Sequence, residues 1–480
     1  MGAALVLWAA FFPGLGWLAW LALVPLFWAL DGAGVRWGMG LGALFGGVVF
    51  LCEFSSLFSL WPFVGPLTIL VWVAVSLYGA LFLALFGAVG GRWGSPFLWA
   101  GGWALIEALR GAGPLGFTFG SVGAALVGSP FVRAAAFGGP WLLSLGVAWT
   151  AGFLARGVRQ RRWLPWAALG PLVLGALALV PPGTREEGTL SAVLVQPNVA
   201  KAEQLDPTRL PERVEIYRDL LGGIAPPADL VLLPENALPW LHDDPELLQL
   251  FQDAAQRVGA TLVVGSAHFQ EGRIYNTVLV LSPQGEIVGT YAKTRLVPFG
   301  EYVPGRDFWT TIGLGRLIDS FLPFDQTAGE DVRPVGTLGI MICFESTFSG
   351  VSRALARGGA EVLVVPTNDA WFGRTRILWE HYALGALRAA ETGRAFVQIG
   401  QTGITGGWGP RGEDLGRFPP STKGRMTLAL PLYSGSTLYV RVGDGPVVGL
   451  VAALVLLGVA TERPRRRGRG RRGRLSGEAR

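Results

Sequence analysis

Between Met1 and Ala155 the chain carries seven charged residues: Asp31, Arg36, Glu53, Arg92, Glu107, Arg110 and Arg133. The apolar runs between them approach or exceed the ~20 residues that carry a helix through the hydrocarbon core of a bilayer. A water-soluble domain carries about 25% charged residues, whereas this whole chain has 15%. The first third is therefore predicted to be a polytopic α-helical membrane domain, residues 1–182, with about seven spans near 3–12, 14–30, 38–60, 67–90, 96–110, 131–155 and 163–180. The first of these is short, half of a pair broken at "FFPGLGW". The Gly- and Pro-rich stretch 111–130 reads as a loop dipping toward the bilayer surface. A cleaved signal peptide does not fit, because the N-terminus lacks a basic region and apolar segments keep recurring.

Basic residues prefer the cytoplasmic side of a span. The connection "RGVRQRR" (156–162) holds four arginines and is assigned inside, so the next span exits and residue 183 onward lies outside. A closing helix at 446–460 precedes "RPRRRGRGRRGR" (463–474), with eight arginines. Placed against a membrane exit, that tail reads as a topology determinant on anionic headgroups in preference to a nucleic-acid arm. Both clusters yield one topology, with the central domain outside and the C-terminus cytoplasmic. The net charge of +6 follows largely from the tail and says little about substrate.

From about 190 to 432 short β-branched runs alternate with amphipathic stretches, the signature of an α/β domain. Strands are predicted at "SAVLVQPNV", "DLVLLPEN", "ATLVVGSAHF", "NTVLVLSP", "GEIVGTYAKT", "TLGIMICFE", "AEVLVVPTND" and "RAFVQIGQT", with helices at 209–221, 245–258, 347–357 and 376–392. "SPQGE" is a hairpin turn, and 181–189 reads as a linker. Residues 433–480 hold the closing helix and the arginine tail.

Several of these strands end in polar residues: Glu235, Lys293, Cys343 and the pair Asn368-Asp369. Catalytic groups gather at strand ends in α/β sheets. An acid, a lysine and a thiol make a workable nucleophilic site, in which the acid takes the thiol proton and the lysine holds negative charge. Each residue alone also has a plain structural reading: Cys343 as a packed small hydrophobe, Glu235 as a turn acid, Lys293 as a solvated strand end. Cys52 and Cys343, one in an apolar span and one in the outer domain, do not suggest a disulfide. His242, His268 and His381, widely spaced and without cysteine partners, read as surface or packing residues and do not suggest zinc. No metal or nucleotide cofactor is predicted.

Taken together, "LVPFGEYVP" (296–304), "ICFE" (342–345), "NDAWFG" (368–373) and "RAAETGRAFVQIGQTGIT" (388–405) resemble the nitrilase superfamily and, over nearly the full length, its membrane-embedded apolipoprotein N-acyltransferase branch. The resemblance implies an αββα nitrilase-like sandwich on the extracytoplasmic side of the bacterial inner membrane, acting as a monomer without a cofactor. It implies Glu235 as general base, Lys293 as the triad lysine and Cys343 as nucleophile. Glu301 and Glu345 match further acids that orient Lys293 and the substrate amine, and Asn276 matches a pocket asparagine. The implied partners are a phospholipid acyl donor and a diacylglyceryl apolipoprotein acceptor, with no nucleic acid. Phe344, Leu205 and Gln401 stand where the family more often has tyrosine, tryptophan and asparagine.

The implied reaction passes an acyl chain through a Cys343 thioester in two ping-pong steps. Two rival readings remain: a membrane-anchored hydrolase of C–N bonds with water as acceptor, and a transporter carrying a binding module. Multiple spans weigh against the first, and the scarcity of intramembrane charge against the second.

Overall fold

In the computed structural model, which describes residues 1–462, the apolar first third is helical and packs most closely along a ladder of glycines. Helix Gly34–Glu53 presents Gly38, Gly42 and Gly46 at four-residue spacing to helix Leu67–Trp93, which returns Gly87 and Gly91. A Cβ on Gly38 would lie 2.2 Å from the Gly87 carbonyl oxygen, and one on Gly42 would lie 2.0 Å from that of Leu83. Lipid tails are as apolar as leucine, so such helices gain from close backbone approach instead of from burial. Gly94, left-handed at φ 59°, ends the second helix, and Pro96 opens the next, Pro96–Arg110.

Four helical segments are long and apolar enough to cross a membrane: Gly34–Val64, Leu67–Trp93, Pro130–Arg159 and Arg161–Leu179. They coincide with the spans predicted at 38–60, 67–90, 131–155 and 163–180. Helices Gly16–Leu30, Pro96–Arg110 and Gly445–Thr461 occupy three further predicted spans but are shorter. Gly2–Ala9 has 8 residues, roughly 12 Å of helix, so it reaches only part way through a core about 30 Å thick.

The charges in this bundle sit at its two ends. At one, Arg156 pairs with Asp31 at 2.9 Å and with Glu462 at 2.6 Å. The closing helix therefore ends beside "RGVRQRR", and the arginine tail that follows lies outside the described residues. At the other end Arg376 of the α/β domain bridges Glu53 and Glu380, the latter at 2.9 Å. The segment 111–130 also lies here. Within this loop residues 116–126 are buried against the α/β domain, with Phe117, Phe119 and Val122 inside, while 112–115 are exposed. Thr118 Oγ1 donates to the Thr347 carbonyl at 3.0 Å, and the Gly120 N–H donates to Glu380 at 2.7 Å. Its irregular backbone leaves N–H and C=O groups free for these contacts.

The α/β domain has two sheets. Strands β1 (Thr184–Gln196), β2 (Leu230–Leu232), β3 (Thr261–Gln270), β4 (Arg273–Leu281), β5 (Ile287–Ala292) and β11 (Gly424–Gly435) form one, in the order β11-β1-β2-β3-β4-β5. Strands β6 (Leu338–Ile340), β7 (Val362–Thr367), β8 (Ala395–Gly400), β9 (Thr405–Trp408) and β10 (Asp414–Phe418) form the other, in the order β10-β9-β8-β7-β6. Alternation along each strand builds three layers of core. Ala192, Leu194, Val362 and Val364 point between the sheets. Val193 and Val195 face helices Leu210–Gly222 and Pro245–Val258, while Leu363 and Val365 face Ser349–Arg357 and Ile377–Thr392. This is the αββα sandwich.

Eight strands and four helices match the sequence reading closely, and the "SPQGE" turn joins β4 to β5. Three features differ. Strand β1 begins at Thr184 and pairs with β11 as far as Gly435, so most of the 181–189 linker is strand. Strands β9, β10 and β11 were not predicted: β9 and β10 lie in glycine-rich sequence, and Pro431 interrupts β11, which tolerates it because it is an edge strand. Strand β6 stops at Ile340, three residues before Cys343.

The glycine ladder yields a matched test. Replacing Gly42 by Leu forces the two helices apart and should lower the apparent melting temperature in detergent, by the ~1–3 kcal/mol or more that overpacking costs. Gly40→Leu, with nothing within 4 Å, should melt like the parent. Equal melting of the two variants would refute the close-approach account.

Candidate active site

The chain turns sharply between β6 and the helix Ser349–Arg357, and Cys343 sits on that turn with φ 50°. A non-glycine residue in the left-handed region costs energy and persists only where its surroundings hold it. Glu345, fully buried, supplies much of the hold. Its Oε2 accepts from the Ile342 N–H at 2.7 Å. Its Oε1 accepts from Thr294 N–H at 2.7 Å, Thr294 Oγ1 at 2.6 Å, Arg295 N–H at 3.1 Å and the Tyr291 hydroxyl at 3.0 Å. Burial pushes its carboxyl pKa up, while the Ile342 and Thr294 donors oppose the rise. This one carboxylate ties the Cys343 turn to the strand end that carries Lys293.

Lys293 follows β5 and is buried with its Nζ 2.7 Å from Glu301 Oε1 and 3.4 Å from Glu235 Oε1. Burial alone would lower its pKa, but Glu235, Glu301 and the Cys343 sulfur raise it, so the ammonium form is favoured. Asn276, on β4, donates from Nδ2 to Glu235 at 2.6 Å and to Glu301 at 3.2 Å. Glu301 is fixed in turn by the Val297 N–H at 2.8 Å. Glu235 lies beyond β2, where the chain passes so close to β3 that a Cβ on Gly265 would come 2.6 Å from the Glu235 Cα. Gln401 donates to the Glu235 and Asn236 carbonyls at 3.4 and 3.1 Å, so its longer side chain serves as a strut at a position where an asparagine was the family expectation.

Burial pushes the Cys343 thiol well above its usual pKa, Glu235 and Asp369 push it further, and Lys293 and a hydrogen bond with Thr367 pull it back. The resting sulfur is a thiol, so its attack needs a base in the same step. Glu235, Lys293 and Cys343 thus converge, with Asn276 and Glu301 beside them. Of the two further acids, Glu301 bonds Lys293 directly, while the hydrogen bonds of Glu345 go to the backbone and hydroxyls on both sides of the site. Phe344 packs edge-on against Phe348, 5.0 Å between centroids, and Leu205 is exposed.

The sequence reading did not anticipate His381. It is buried beside Cys343, its Nδ1 3.0 Å from Asp369 Oδ1 and its Nε2 3.1 Å from the Cys343 carbonyl oxygen. Burial would lower its pKa, but Asp369 and the Cys343 carbonyl outweigh this and raise it. One ligand atom each from Cys343, Asp369 and His381 lies within 4.8 Å of the others, and both ring nitrogens of His381 already have protein partners, Asp369 at Nδ1 and Ser346 Oγ and the Cys343 carbonyl at Nε2. The pair braces the Cys343 turn from behind. The helical position of His381, twelve residues from Asp369, gave no sequence signal, since only the packing of Ile377–Thr392 against the turn joins them.

If Glu345 holds the turn, Glu345→Gln, which must present an NH₂ to one set of donors, should orphan at least one buried N–H at about 1–3 kcal/mol. The expected result is a lower melting temperature together with at least a tenfold loss of Cys343 alkylation by a lipid-like electrophile. Wild-type alkylation in the variant would remove the positioning role.

Residues 194–435 match the carbon-nitrogen hydrolase family, and residues 3–153 match the apolipoprotein N-acyltransferase N-terminal domain. The chain is 31% identical to an apolipoprotein N-acyltransferase of Geobacter metallireducens, over 90% of this chain and 88% of that one. It is 31% identical to one of Gloeobacter violaceus, over 96% and 93%, and 33% identical to one of Azotobacter vinelandii, over 83% and 81%. A helical bundle fused to a nitrilase-type sandwich, alike in both parts to these relatives, belongs to the apolipoprotein N-acyltransferase family.

Proposed function

We propose that the chain transfers a fatty acyl group from a membrane phospholipid, through a thioester on Cys343, to the α-amino group of a diacylglyceryl-cysteine at an apolipoprotein N-terminus. The observation that carries this reading is the Cys343 thiol, its pKa raised by burial and by Glu235 and lowered by Lys293, beside a lysine held between Glu235 and Glu301 in a domain fused to a bundle of apolar helices. In the first step Sγ bonds to the ester carbonyl carbon and the C–O bond to glycerol breaks. Glu235 takes the thiol proton and returns it to the departing alkoxide, releasing a lysophospholipid. In the second, the amine nitrogen bonds to the same carbon and the S–C bond breaks. Glu235 takes the amine proton and passes it to the leaving thiolate. Lys293 holds the oxyanion in both steps, and Glu301 and Asn276 keep Lys293 and Glu235 in register. The two halves share one site, so the kinetics are ping-pong.

Both substrates carry chains that cost about 0.8 kcal/mol per CH₂ to draw from the bilayer, which favours chemistry at the membrane surface. The orientation that fits is the inner membrane with the α/β domain outside. Arg156, Asp31 and Glu462 gather at the end of the bundle away from Cys343, beside "RGVRQRR", and basic connections stay cytoplasmic. Seven spans, or six and a half with Gly2–Ala9 as a partial hairpin, precede the domain in this reading, and the enzyme acts as a monomer.

Incubating the protein with phospholipid carrying a labelled acyl chain, without acceptor, should leave label on the protein that hydroxylamine releases. Cys343→Ala should take up none, and Glu235→Gln should label about 10²–10⁴ times more slowly, the usual worth of a positioned base. Adding a diacylated lipopeptide should move the label to its amine. Label on Cys343→Ala refutes the nucleophile, and transfer only to water favours the hydrolase.

A further inference from the structure

Beyond β1 the chain enters a short helix, Lys201–Leu205, whose first residue the mechanism does not use. The Lys201 ammonium sits 4.2 Å over the Trp371 ring, on the "NDAWFG" segment that follows β7. Its neighbour Gln204 reaches across to Asn368, which donates to Gln204 Oε1 at 2.6 Å, and Lys201 Nζ lies 3.5 Å from that same oxygen. Lys201 is thus held at the segment after β7 that carries Asn368 and Trp371, within electrostatic reach of Glu235 and Glu301. The charges that face it from other elements are Glu235, Glu301 and Arg213. None of the carboxylates among the described residues is within ion-pairing distance, because Glu235 and Glu301 are turned onto Lys293 and Asn276. A mostly buried cation with an aromatic face below and no anion beside it is costly unless something completes it.

We propose that Lys201 binds the phosphodiester of the phospholipid acyl donor and thereby selects phosphate-bearing esters for attack by Cys343. The inference rests on the acyl-transfer reading above and adds the recognition of its first substrate. Of the two substrates, the donor must bring an anion, separated from the reacting ester by the glycerol carbons. The acceptor must bring an amine, whose ammonium form a cation repels. An ammonium outside the triad suits the first and is unsuited to the second. Burial lowers the Lys201 pKa to about 8, with Glu235 and Glu301 opposing the drop and Arg213 adding to it. The group is therefore charged below that pH and loses its charge as pH rises through it.

The test compares two acyl donors by their kcat/KM for labelling Cys343: a phosphatidylglycerol vesicle preparation and a nitrophenyl ester of the same fatty acid, which has no phosphate. Lys201→Gln should lower the ratio of phospholipid to nitrophenyl-ester rates about tenfold, as expected for one lost hydrogen bond to a charged group. The ratio cancels any loss of folded protein. In the parent enzyme the ratio should fall above about pH 8, and in Lys201→Arg it should not, because a guanidinium stays charged there. Equal losses with both donors would mean that Lys201 acts on the triad, and unchanged rates with both would mean that it touches neither donor. Either result overturns the proposal. Inorganic phosphate, added with the nitrophenyl ester, should leave the rate unchanged; inhibition that disappears in Lys201→Gln would reveal a free-phosphate site and overturn the lipid assignment. Failure of the parent enzyme to label with either donor would instead count against the acyl-transfer reading itself.

Discussion

One guanidinium forms the buried ion-pair bridge between the two halves of this protein. Arg376, at the start of the helix that carries His381, reaches Glu53 at the end of a membrane helix and Glu380 in its own domain. Trp8, Phe11 and Phe12 pack their rings around it at 5.7 to 6.0 Å, so the cluster is shut away from water. Breaking such a buried bridge leaves an uncompensated charge, a loss of about 3–5 kcal/mol. The Gly120 N–H on Glu380 adds the 111–130 segment to the same junction. The placement of Cys343 over the bundle is therefore secured by charges that cannot separate cheaply, together with the Thr118–Thr347 bond and the packing of Ile377 and Leu384 on the bundle.

The same economy recurs in the site. Two carboxylates and an amide, Glu235, Glu301 and Asn276, surround one lysine, and the arrangement leaves Lys293 charged and Cys343 protonated. A second carboxylate system, Glu345, accepts from backbone N–H groups and hydroxyls on both sides of the Cys343 turn. A third, Asp369 with His381, supports the Cys343 carbonyl. Four acids close in space therefore fall into three groups, distinguished by their hydrogen-bond partners.

Much of this was legible from residues alone. The charge gap before Ala155 announced the bundle, and alternating apolar runs announced eight of the eleven strands. Glu235, Lys293 and Cys343 were recognisable because strand-end polar residues coincided with family motifs. Strands β9 and β10 were not legible, since glycine-rich sequence carries no period. His381 was not, because a lone histidine in an amphipathic helix looks the same whether it faces packing or a nucleophile. Lys201 was also silent: its significance lies in the ring of Trp371, 170 residues later in the chain.

Sequence by itself determined which segments prefer lipid, which form strands and which residue types are available for acyl chemistry, since hydropathy, periodicity and side-chain chemistry are local properties. Only the tertiary structure decided that Cys343 sits on a left-handed turn past the end of its strand, and that Glu345 builds that turn while Glu301 grips the lysine. It also decided that residues 116–126 of the predicted loop are buried against the α/β domain. Those outcomes depend on hydrogen bonds and ion pairs between residues tens to hundreds of positions apart, and such pairings come into being only when the sheets and the bundle close upon one another.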